Sequence, residues 1–197
     1  VALAAADLDT VAEKRDFLAT GSYADAIDLM RSLEERSDAM KLEFYGRSAA
    51  GRPMPVMIAS KDRAFTPEAA AATGKPIVLI QNGIHAGEID GKDASLMLLR
   101  EIAITESLEE LADDVIILFM PIFNLDGHER SGPHNRINQN GPEEMGWRVT
   151  ANNLNLNRDF VKADAPEMRA WLRTFNAWLP DMLIDCHVTD GIDFQYN

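Results

Sequence analysis

The chain has 197 residues, 46% of them hydrophobic and 26% charged, which suits one globular domain with a sizeable core. A net charge of -13 and a pI near 4.6 argue against a nucleic-acid or anionic-membrane partner, because phosphate binding needs a basic surface. No run approaches the roughly 20 apolar residues that span a bilayer, and the single cysteine, Cys186, excludes an internal disulfide.

In chain order, the alanine-rich opening VALAAADLD suits either the remnant beside a removed signal peptide or a frayed terminus. Residues 1–21 read as an N-terminal extension or short helix, and residues 22–197 as the domain proper. Ser22-Tyr23-Ala24-Asp25 has the form of a capping box, with Ile27, Met30 and Leu33 at helical spacing to about Ser37. Two apolar or alternating runs, Lys41 to Tyr45 and Met54 to Ala59, predict a hairpin across a glycine- and proline-bearing connection. Pro76 to Gln81 predicts a buried strand, Gly91 to Ile104 a helix, and Val115 to Phe123 a strand covered on both faces. Asp164-Ala165-Pro166-Glu167 opens a helix to about Trp178, and Asp181 to Cys186 is a further strand. Strands alternating with helices indicate an α/β domain with a largely parallel central sheet.

Between Asn124 and Arg158 lie eight asparagines and no convincing periodicity, so this long loop is expected to be functional. Its arginines, among them Arg136, Arg148 and Arg158, suit it to recognising an anion.

Three apolar runs hand over to polar residues at their carboxyl ends: Ile80 to His85 and Glu88, Phe123 to Asn124 and Asp126, Cys186 to His187. In open α/β sheets ligands bind beyond such ends, so His85, Glu88 and His187 can meet despite their separation in sequence. His-x-x-Glu alone is a weak motif in a chain this rich in glutamate. With a distant second histidine it forms a two-nitrogen, one-carboxylate set that leaves a zinc ion's fourth position open. Asp185, two residues before His187 on the same strand face, is placed to orient its imidazole. His128 and His134 are expected at the surface, and Cys186 as an inert buried thiol.

The ordered set His85-x-x-Glu88, Pro121-Ile-Phe-Asn124-Leu-Asp126-Gly127, Asn135-Arg136, Trp147-Arg148, Asn155-Leu-Asn157-Arg158-Asp-Phe160 and Asp185-Cys-His187 resembles the zinc carboxypeptidases of the carboxypeptidase A type. The resemblance implies a three-layer α/β/α fold around a mixed, largely parallel sheet, and one Zn2+ held by His85, Glu88 and His187. It implies hydrolysis of C-terminal residues from peptides by a metal-activated water, with Arg148 stabilising the oxyanion and Asn157 and Arg158 gripping the terminal carboxylate. Arg136 matches an arginine near the binding groove, and Asn155 stands where many relatives place an aspartate that orients the first zinc histidine. An extracellular or periplasmic location is the matching expectation.

Two departures qualify the resemblance. The family's general base is a glutamate well beyond the last ligand, so residues 22–197 are expected to be a partial catalytic domain, inactive alone and completed by a missing C-terminal segment or a second chain. Gly87 replaces a basic residue of digestive members. The alternatives are a zinc-dependent deacylase of the aspartoacylase or succinylglutamate desuccinylase type and a non-catalytic peptide-binding domain.

Overall fold

The computed structural model describes residues 8–105, 108–136 and 138–189; the alanine-rich opening through residue 7 lies outside them. Five strands form one sheet: β1 Met40–Arg47, β2 Pro53–Ala59, β3 Ile77–Asn82, β4 Ile116–Met120 and β5 Met182–Cys186. Their spatial order is β1-β2-β4-β3-β5, with β1–β2 and β2–β4 antiparallel and β3–β4 and β3–β5 parallel. The sheet is therefore mixed, and its parallel half carries the site. All five residues of β4 are buried, the pattern of a strand covered on both faces.

The helices gather in two groups. Helix α2, Tyr23–Arg36, follows Ser22, whose side chain and that of Asp25 cap each other's amides, and it buries Ile27, Met30 and Leu33. It packs with α4, Asp90–Arg100, which continues as a π-helical turn through Thr105. Helix α6, Pro166–Trp178, packs against β1 and α3, Pro67–Thr73. Its N-cap is Ala165, not Asp164; the neighbouring amides of Asp164 and Ala165 donate to Asp159 instead. Sequence patterning misses α3, because an alanine run gives no hydrophobic stripe. Its boundaries were legible all the same, in the Thr66 cap, Pro67 in the first turn and left-handed Gly74 at the end.

The N-terminal extension contains a short helix, α1 Val11–Lys14, anchored to α4 by Arg100, which forks onto both carboxylate oxygens of Glu13 at 2.8 Å. Beside it the expectation for His128 fails. That residue, on α5 Leu125–His128, is buried, with Nε2 3.1 Å from the Lys92 ammonium and Nδ1 2.8 Å from Glu129. A lysine buried on α4 needs partners, and the histidine on α5 supplies one. His134 is exposed. Cys186 is half-buried, and burial pushes its thiol pKa up.

Asp126 fixes the β1–β2 connection: its buried carboxylate accepts from the Ser48 hydroxyl, the Ala50 amide and the Arg52 guanidinium at 2.7 to 2.9 Å. Asp126→Ala is expected to lower unfolding free energy by about 2–3 kcal/mol in urea titration, since donors to a charged acceptor lose it together. Strand β5 pairs only with β3 among the described residues, and its Met182, Leu183 and Ile184 are exposed. Such an edge templates association. The chain is expected to self-associate with rising concentration in light scattering, and Leu183→Lys to shift it toward monomer.

Candidate metal centre

The register of the parallel strands decides where the site forms. Asn82 pairs with Cys186, so Gly83 and His187 leave adjoining strands at the same level. The chain runs from β3 to β4 on one side and later to β5 on the other, which opens a crevice at the carboxyl end of β3. Gly83, at φ 62°, turns the backbone out of the sheet in a conformation that favours glycine. A single tight turn follows, closed by the Glu88 amide donating to the His85 carbonyl at 2.9 Å. The turn brings its first and last side chains together, with His85 Nδ1 facing Glu88 Oε1.

One ligand atom each from His85, Glu88 and His187 lies within 4.8 Å of the other two. Both imidazoles direct Nδ1 at the carboxylate: His85 at 2.9 Å from Oε1 and His187 at 2.9 Å from Oε2. The Val188 amide donates to Oε2 at 3.1 Å and Arg136 Nη2 to Oε1 at 2.8 Å. Burial alone would raise the Glu88 pKa, but the His85 hydrogen bond, the Val188 amide and the Arg136 charge together lower it to about 2. His85 and Glu88 are buried, whereas 35% of the His187 side chain is exposed, so the cluster opens to solvent on one side.

Asp185 Oδ2 sits 2.9 Å from His187 Nε2, and its Oδ1 accepts from Gln81 Nε2 at 2.8 Å. The second ring nitrogen thus has a fixed acceptor, which leaves Nδ1 to point inward. Asn155 has no such role toward His85: its oxygen accepts from the Asn157 amide and caps the turn Leu156–Arg158. His85 Nε2 is buried without a partner.

Arg148 reaches the cluster, with Nη1 3.9 Å from Glu88 Oε1 and 43% of its side chain exposed. Its backbone carbonyl is held by Asn124 Nδ2 at 3.0 Å, and Asn124 is fully buried just after β4. Arg136, read from sequence as a groove residue, is instead buried against Glu88. Arg158 is exposed and donates to the Asn157 carbonyl, so this pair has no direct bond to the three clustered side chains. Sequence reasoning gave no role to Gln81, Asn124 or Gln139. Gln81 could have been found from register, as it lies opposite Asp185.

A model of the Peptidase_M14 zinc carboxypeptidase family matches residues 26–171. The chain belongs to the zinc carboxypeptidase family. Mouse carboxypeptidase A6 is 32% identical over 110 residues, covering 53% of this chain and 21% of that protein. A metallo-carboxypeptidase from Burkholderia cenocepacia shares the fold at TM-score 0.67 and 20% identity, over 88% of this chain and 43% of that one. Carboxypeptidase A from Helicoverpa armigera does so at TM-score 0.67 and 19% identity, over 86% and 46%. The chain therefore spans about a fifth of the length of its curated relative and under half of these two structures.

The zinc that the family name implies fits the residues present. Two imidazole nitrogens and a carboxylate oxygen lie close enough together to share one ion, and a two-nitrogen, one-oxygen donor set suits Zn2+. In this chain, Asp185→Asn is expected to weaken zinc binding roughly 10–100-fold in competition with a chromophoric chelator, because His187 loses its charged acceptor.

Proposed function

We propose that the complete protein is a zinc-dependent metallocarboxypeptidase that removes C-terminal amino acids from peptides, with one zinc ion held by His85, Glu88 and His187. The observation that carries the reading is the convergence of these three side chains with Arg148 at the carboxyl ends of β3, β4 and β5. When bound, zinc supplies a water nucleophile usable at neutral pH and polarises the amide carbonyl. Arg148, with its backbone fixed by Asn124 and its guanidinium partly in solvent, stabilises the negative charge that grows on the carbonyl oxygen. Arg158 presents an exposed fork suited to a terminal carboxylate, with Asn157 beside it. The free edge of β5 receives a further strand, from the same polypeptide or a second chain. Asp185 is engaged by His187 and Gln81, so a different carboxylate is expected to accept the proton. An extracellular or periplasmic location accords with this reading.

The test is hydrolysis by the complete protein of a peptide with a free C-terminus against its C-terminal amide. Cleavage confined to the free acid, with a kcat loss of about 10²–10³ on Arg148→Ala, is expected. Release of acyl groups from N-acyl amino acids, with peptides untouched, would overturn the proposal in favour of a deacylase. Residues 1–197 alone are expected to show no hydrolysis above background.

A further inference from the structure

Glu88 is the only anion among the three clustered side chains, and Arg136 has already claimed part of it. The Arg136 side chain is buried, with Nη2 2.8 Å from Glu88 Oε1, the same oxygen that faces His85 Nδ1. It is held there from behind. Arg136 Nε donates to Gln139 Oε1 at 3.0 Å, and Gln139 Nε2 in turn donates to the Thr189 carbonyl, two residues beyond His187. The turn between His85 and Glu88 is shaped to admit the arginine: a Cβ on Gly87 would come within 2.6 Å of Arg136 Cγ. A guanidinium that is buried, bridged on two sides and packed over a position with no side chain is a built part of the centre.

We infer that Arg136 is a positioning residue that sets the metal affinity of this centre downward. It shares Glu88 with the incoming ion and places a permanent positive charge beside it. This rests on the zinc-site reading above and adds a residue acting on the ligand rather than on substrate. Arginine suits the task because it stays charged at any physiological pH and donates along fixed directions. Arg136 holds Oε1 and the Val188 amide holds Oε2, so an ion would meet a carboxylate whose charge is already shared. Repulsion between the guanidinium and a divalent ion in a partly buried site is large enough to change affinity by an order of magnitude or more. In the metal-free protein the same contact holds the Glu88 carboxylate in place.

Zinc dissociation constants of the full chain are measured by competition with a chromophoric chelator, with no substrate present. Arg136→Gln and Arg136→Met, which remove the charge, are expected to bind zinc about tenfold more tightly or better. Arg136→Lys, which keeps the charge and loses the fork, is expected to stay within about threefold of the parent. A structural role alone predicts the opposite, since loosening the centre weakens binding in all three variants. Unchanged or weaker affinity in Arg136→Gln and Arg136→Met, in variants with parental near-ultraviolet circular dichroism, overturns the inference. Should both variants misfold, zinc titration of the parent chain followed by the Arg136 side-chain nitrogen resonance decides: a shift supports the shared carboxylate, and an unmoved resonance refutes it. His85→Ala separates the two levels. If it leaves zinc affinity intact, the metal-site reading fails and takes this inference with it; if it abolishes binding while Arg136→Gln changes nothing, only the inference falls.

Discussion

The buried carboxylate of Glu88 is the point on which the centre turns. It receives an imidazole on each oxygen, the Val188 amide and the Arg136 guanidinium, and these contacts come from three separate stretches of chain. A carboxylate can remain ionised in a buried position only when it is compensated in this way, because desolvation by itself would favour the protonated acid. Groups around it are constrained in turn: His187 by Asp185, Arg136 by Gln139, and the nearby Arg148 backbone by Asn124. The site is thus a set of side chains oriented by other side chains, with the charge of Glu88 as their common target.

That convergence is possible because three strand ends open at one edge. Strands β3, β4 and β5 run in the same direction, and β3 lies between the other two. The loop after β3 carries His85 and Glu88, the turn after β4 carries Asn124, and His187 follows β5 directly. The antiparallel β1–β2 hairpin extends the sheet on the opposite side and is tied down by Asp126 from the segment after β4. One segment, residues 124–128, therefore braces both the hairpin connection and the Arg148 backbone. The irregular stretch beyond it is where binding residues collect, since loops on a rigid sheet can place side chains that no regular element could.

The legible parts of the fold were those in which a local pattern had one physical meaning. The capping box at Ser22 and Asp25 begins α2 where the sequence places it, and the apolar runs that became β3, β4 and β5 need no partner information to be recognised as strands. His85, Glu88 and His187 were legible as a set because each follows such a run. His128 was not, because its burial depends on Lys92 lying opposite it, and nothing near either residue in sequence announces the other. Asn155 likewise carries the right position in the motif and a different bond in the fold.

What the sequence determined by itself was the inventory and the order: strand ends followed by ligand-type residues, caps, turns, and a motif series shared with a family. Those features depend on neighbours within a few residues, where propensity and periodicity act. Only the tertiary structure decided which strands adjoin and in what register. It also decided that Arg136 faces Glu88 while Arg158 faces solvent, and that Asn155 caps a turn rather than orienting His85. The reason is physical: a buried charge selects its partners from whatever the packing brings within about 3 Å, and packing is a property of the whole sheet rather than of any stretch along it.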